Sequence, residues 1–429
     1  MSVDGTIEIA ITTDESPEEK SLELQDLNNK LVTDGLEEAI LDMENIDKTI
    51  TSLESIYDTI EQFGVPSTES DQQLLGISML RAMKPLGTVE KLSKEDLVAS
   101  LEADSFEHGE QSKFSAPQLI RSIVSAYHTF TLHMKKIAQG FDRWLKSVHG
   151  DADKALKQLD ELGNELEKRD GLTQREFIFK KASWLVMDGK IQQGQDLIYG
   201  VNKTIELANT FIGNREGFTV VSQYARVLRD WSANNPVDLN TLLKDYITGP
   251  QSKFAQAFGY IPKKDIENST FPYLEARDGK FLGNGAVIIG VTGVPSHFTT
   301  MAFYRGESVK EITAIKVKAL ELHQASQVIE GAKEFCRIVA KYRNDYTTRE
   351  AQTKELMRTV ETITNEMKSN LSGNRQMPFM EKRKTYNYYR RIISSLWVSV
   401  IRTEIFVCQH IVNVAEALFK YVQQSMRSA

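Results

Sequence analysis

Between residues 36 and 63 the apolar side chains return every three or four positions, at Leu36, Ile40, Met43, Ile46, Ile50, Leu53, Tyr57, Ile60 and Phe63. That spacing puts them on one face of a single long amphipathic helix. Its start is written at Ser16-Pro17-Glu18-Glu19, where a serine N-cap, a proline in the first turn and two acids suit the positive end of the helix dipole. Gly64 and Pro66 end it. The residues before it, to about 15, are polar and acidic with no period, and are expected to lack fixed structure. A stripe this long needs cover, either elsewhere in the chain or from a second chain in an oligomer held through the Leu36 to Phe63 helix.

Shorter helices are expected at Asp71 to Met83 and Ser93 to Asp104. A long helical pattern starts at Pro117, runs through Trp144, breaks near Gly150 and resumes from Asp151 to Lys168. Further helices fit Gln192 to Phe211, Phe218 to Trp231 and Leu239 to Ile247. From Pro262 to about Lys318 the period changes to short β-branched and aromatic runs. Asp278-Gly279 and Asn284-Gly285 are hairpin signals there, and Val287 to Ile289, Thr299 to Tyr304 and Ile312 to Val317 are candidate strands. Helices return from Leu322 to Leu371 and from Pro378 to the end. The expected fold is mainly α, with long helices in a bundle and a small antiparallel β insertion near residues 262–318. Only 10 prolines and 25 glycines in 429 residues support that choice over a many-stranded sandwich.

Charge divides the chain more sharply than the helices do. Residues 1–107 hold 25 acids and 7 bases, a net of −18, and the rest holds 34 acids and 45 bases, a net of +11. Such a split points to a separable acidic leader and a basic body able to meet a polyanion, or to acidic surface helices that keep the protein soluble. The polar stretch from Ser105 to Ser112 marks the boundary. The resulting organisation is an acidic helical leader at 1–107, a helical domain at 108–261, the β insertion at 262–318 and a C-terminal helical region at 319–429.

Tests for chemistry mostly fail. The glycines at 283, 285, 290 and 293 invite a phosphate-loop reading, but Ile288 and Gly293-Val294-Pro295 stand where the fingerprints need Gly and Gly-Lys-Ser/Thr. His128 and His133 are five apart, missing the four-residue spacing of two ligands on one helix face, so no metal site and no cofactor is expected. Cys336 and Cys408 lie in apolar helical patterns and read as reduced core thiols. Met1 to Gly5 does not open a signal peptide, and charged residues interrupt Ile392 to Val422, which reads as a buried helix and not a membrane span. No enzyme is expected.

One constellation stands out. Lys382, Arg383, Lys384, Arg390 and Arg391 interleave with Tyr386, Tyr388 and Tyr389 just before an apolar helix. The bases can neutralise phosphates and the rings can stack on exposed nucleobases, giving a non-specific DNA contact. The alternative is a helix whose tyrosines pack inward while the bases point to water.

The order of parts resembles the internal head (inner-body) proteins of giant tailed bacteriophages. Gln327-Val328-Ile329-Glu330-Gly331-Ala332-Lys333-Glu334 carries the likeness, as do Tyr389-Arg390-Arg391, Val400 to Glu404 and Ala415 to Val422. The resemblance implies an acidic propeptide removed by a prohead protease that cuts after Ser/Ala/Gly-x-Glu. Ser100-Leu101-Glu102 and Ser105-Phe106-Glu107 match at the charge boundary, making Glu102 and Glu107 the processing candidates, with Glu107 favoured by its polar surroundings. Ser21-Leu22-Glu23, Ser52-Leu53-Glu54 and Ser93-Lys94-Glu95 match upstream.

The reading is a virion structural protein of the capsid interior, assembled in the host cytoplasm among other head proteins, trimmed by the protease, packed with or against the DNA and ejected with it or retained. A helical pore-forming toxin, with Val287 to Val294 as an apolar tongue, and a cytoplasmic coiled-coil scaffold are the alternatives.

Overall fold

The computed structural model describes residues 17–64, 68–88, 116–172, 175–212, 273–276, 281–292, 298–305, 315–344 and 397–427. Single positions are also described between 219 and 256 and between 351 and 390. The helices expected at 93–104 and 239–247, and the Asp278-Gly279 turn, lie outside the described residues.

The longest element is a helix of 52 residues, α3 (Ala116–Glu167), after α1 (Pro17–Phe63) and α2 (Glu69–Thr88). At 1.5 Å per residue α3 is about 78 Å long, and it forms the spine of the fold. Its N-terminal half is covered by α1, which runs antiparallel to it: Glu54 lies beside Tyr127, and Leu36 beside Gly140. Its C-terminal half is covered by α5 (Leu322–Asn344), which is antiparallel as well, with Tyr342 against Phe141 and Lys333 against Asp160. The expected break at Gly150 does not occur. One mid-helix glycine costs about 1 kcal/mol relative to alanine. Burial of Trp144, Leu145, Val148 and Ala152 on the turns around it outweighs that.

α1 follows its sequence pattern closely. Leu36, Ile40, Met43, Ile46, Ile50 and Leu53 are all buried, the last four of them completely. Their cover is α3, within the chain. Gly64 ends α1 with a left-handed φ of 79°, and its amide donates to the Ile60 carbonyl at 2.8 Å. Phe63, the last residue of the stripe, is 77% exposed.

Among the described residues the β structure forms three small sheets. Strands β4 (Tyr273–Ala276), β5 (Gly285–Thr292) and β6 (Phe298–Arg305) form the expected antiparallel meander, with Val287 opposite Phe303. Ahead of β5 the left-handed pair is Gly283-Asn284, one residue earlier than the Asn284-Gly285 signal, and Gly285 already belongs to the strand. β7 (Ile315–Lys318) leaves the insertion and pairs with β1 (Glu176–Phe179), placing Val317 opposite Phe177. A 3-10 turn at Ala182–Leu185 then leads to a hairpin of β2 (Val186–Met187) and β3 (Lys190–Ile191). Its turn is Asp188-Gly189, both with left-handed φ, the sequence signature of a two-residue hairpin.

α4 (Gly194–Phe211) and α6 (Val398–Arg427) complete the bundle. Leu282, at the turn into β5, is clamped between them. Its amide donates to Thr204 Oγ1 of α4 at 2.9 Å, and its carbonyl meets the His410 ring of α6. α5 crosses α4 at Gly331, where an added Cβ would run into the Val201 side chain. By length and composition α6 could cross a membrane, but 61% of that apolar window is buried inside the protein. The architecture is mainly α with a small antiparallel β part.

Candidate functional site

The seam between acidic α1 and the rest of the chain gathers an unusual set of buried polar groups. Between Gly35 and Phe63, α1 has eight acids and one base, Lys48. Asp42, Asp47 and Glu54 lie beside the apolar stripe and turn toward the body. The Tyr127 hydroxyl donates to Glu54, which is only 6% exposed. His133, also buried, donates from Nδ1 to the Thr129 carbonyl at 3.1 Å and sets Nε2 3.5 Å from the Asp42 carboxylate. Burial holds the His133 pKa below its ordinary value, with Lys136 adding to the effect, against the Thr129 carbonyl and Asp42, which favour the charged ring.

Arg390 is the third tie. It is 1% exposed, its Nη1 donates to the Asp47 carbonyl at 2.7 Å, and the same nitrogen forms an ion pair with the Asp47 carboxylate at 2.7 Å. Its Nη2 donates to Thr51 Oγ1 at 3.2 Å. The structure therefore corrects one expectation: Arg390 is turned into the protein against α1 and is not offered to a polyanion. A guanidinium so placed donates to a backbone oxygen and a hydroxyl through two nitrogens while its charge meets the carboxylate, which the single ammonium of a lysine could not do with the same geometry. Lys382, Arg383, Lys384, Tyr386, Tyr388, Tyr389 and Arg391 lie outside the described residues, as do Glu102 and Glu107.

Among the upstream Ser-x-Glu matches, Ser52-Leu53-Glu54 sits in mid-helix with Leu53 and Glu54 buried. A protease needs an extended, accessible strand of chain, so that match is closed in the folded protein. Ser21-Leu22-Glu23 is also helical. The sequence favours Glu107 through its polar surroundings, and the burial of Leu53 and Glu54 is a separate reason to set the Ser52 match aside.

Two further polar ties hold α6, one buried and one half-buried. Glu404, fully buried, accepts from the Tyr342 hydroxyl at 2.8 Å. Glu416 accepts from Lys181 at 2.7 Å and Lys420 at 2.9 Å. Burial alone would raise Glu416, but those two cations outweigh it and hold the carboxyl below its usual range. Lys181 is itself held below the ordinary lysine value by burial, which exceeds the help it gets from Glu416. These groups are already paired with one another. Among the described residues no three His, Cys, Asp or Glu side chains gather as a metal site. Cys336 and Cys408 are buried and form no disulfide, as their apolar neighbours implied.

Long helices are locked together here by polar ties in which ionisable groups engage one another. A family model described as phiKZ-like phage internal head proteins matches residues 126–424, from within α3 almost to the end of α6. The match spans more than half of the chain, and the protein belongs to that family. It is accordingly a structural protein of the phage head interior, located in the capsid and assembled in the host cytoplasm. Comparison with curated proteins and with solved structures gave no match. The family match leaves out α1 and α2 altogether.

Proposed function

We propose that the chain is a precursor, cut after Glu107 in the segment that joins α2 to α3, and that the body so produced packs against the phage genome. Supporting this is the position of the charge boundary. It falls at two Ser-x-Glu matches, while the match at Ser52-Leu53-Glu54 is closed by burial. A cut there separates a segment of net charge −18 from one of +11. The basic product would bind DNA through phosphate neutralisation and not through base readout, with Lys382, Arg383, Lys384 and Arg391 supplying cations and Tyr386, Tyr388 and Tyr389 supplying rings. Arg390 is left out of that set because Asp47 holds it.

The role is structural and not catalytic. The neighbours it implies are other head proteins and the prohead protease. The pore-forming alternative loses support from Val287, which opens the suggested tongue and is 2% exposed in the protein's own core.

Intact-mass measurement of the protein from mature virions tests the processing. The expected N-terminus is His108, or Ala103 if Glu102 is used. A chain that still carries residues 1–107 overturns the proposal.

A further inference from the structure

We infer that cutting the chain between α2 and α3 nicks the protein without stripping it: the acidic segment stays docked on α3 as a second, non-covalent chain. The inference takes its biological sense from the processing proposed above. Its physical basis is independent of which protease cuts.

The seam has the character of a core and not of a peripheral contact. Met43, Ile46, Ile50 and Leu53 of α1 are 0% exposed, and so are Tyr127, Phe130, Met134 and Ile137 of α3. Removing α1 would bare that face of α3 along several turns, and apolar area returned to water is the largest cost the fold can meet. α1 is held at three separate heights along its length, by Asp42 at His133, Asp47 at Arg390 and Glu54 at Tyr127. Stripping it would take from Arg390 its carboxylate partner and its hydrogen bonds to the Asp47 carbonyl and Thr51. α2 follows α1 in the same fragment and packs on it through Met79 and Met83, both 4% exposed. The cut falls within residues 89–115, and none of the contacts named above involves those residues.

The occupant of the α3 face is therefore α1 of the same chain, before and after cleavage. Its charge matters for function. A stripped body carries +11, whereas the nicked pair keeps the whole chain's −7. Cleavage on this account licenses the unmasking of the basic body, and the acidic fragment leaves only when a competitor takes it off the seam.

The test uses the full chain with a specific protease recognition sequence placed over residues 105–111, cut to completion and examined by native mass spectrometry and size exclusion at micromolar concentration. The expected result is one 1:1 species containing both fragments. Two separately eluting fragments would overturn the inference. The same chain carrying Ile50→Asp places an unpaired carboxylate in the seam, and is expected to lower retention of the fragment by at least about tenfold. Equal retention of that variant would also overturn it, by showing that the fragments cohere without the seam. If virion protein proves uncut, the processing proposal fails while this result stands.

Discussion

Arg390 reaches across the fold to Asp47, 343 residues earlier, and its Nη1 stands 2.7 Å from both the carbonyl and the carboxylate of that one residue. The pair joins the segment that looked most like a DNA contact to the segment that looked most like a disposable leader. A buried ion pair adds little over an apolar pair of the same shape, but removing one partner leaves the other charge stranded.

Arg390→Met is expected to destabilise the protein by about 2–3 kcal/mol, below the full cost of a stranded buried charge because Asp47 still reaches water. A double-mutant cycle with Asp47→Asn should show coupling of about 1–2 kcal/mol in urea denaturation. Additive single mutants would contradict the pairing.

Tyr127→Phe keeps the ring and deletes the hydroxyl that donates to buried Glu54. The expected loss is about 1–2 kcal/mol, since a buried carboxylate loses a donor. Thermal melts of the two proteins side by side measure it.

His133 makes stability acid-sensitive. Its pKa in the folded state lies below the ordinary 6.5, so as pH falls through 6.5 the unfolded chain takes up a proton that the folded one refuses. Stability from this group is complete above pH 6.5 and declines below it, by up to about 1.4 kcal/mol per pH unit until the folded state also protonates. Urea midpoints at pH 7.5 and pH 5.5 should differ less in His133→Gln than in the parent.

Gly331→Ala puts a methyl group into Val201 where α5 crosses α4. Overpacking of this kind costs about 1–3 kcal/mol. Combining it with Val201→Ala should recover part of the loss, and an unchanged double mutant would mean that the helices do not meet at that point.

Cys336 is pushed up to about 12 by burial, and Cys408 is fully buried. At pH 8 both thiols should resist iodoacetamide in the native protein and react in denaturant. Mass spectrometry of the alkylated chain counts them directly.

Much of the helical architecture was legible in the sequence because it rests on local patterns. The stripe from Leu36 to Leu53, the Gly64 stop and the β5–β6 meander each come from side-chain period and turn chemistry within a few residues. The Asp188-Gly189 hairpin carried an equally local signal, in a segment given no element by the helix count. Strand β1 is different. Its four residues have no period long enough to read, and they become a strand only because β7, well over a hundred positions later, pairs with them.

The sequence by itself determined a long-helix protein with an acidic leader, a basic remainder and buried thiols, since charge counts and apolar spacing need no third dimension. Tertiary structure alone decided what the leader touches. Whether an amphipathic stripe is covered from inside or outside the chain, and whether an arginine faces DNA or an aspartate, depends on elements brought together from opposite ends of the chain. No local pattern encodes that distance, which is why Arg390 read as a surface cation and Asp47 as one more solvated acid.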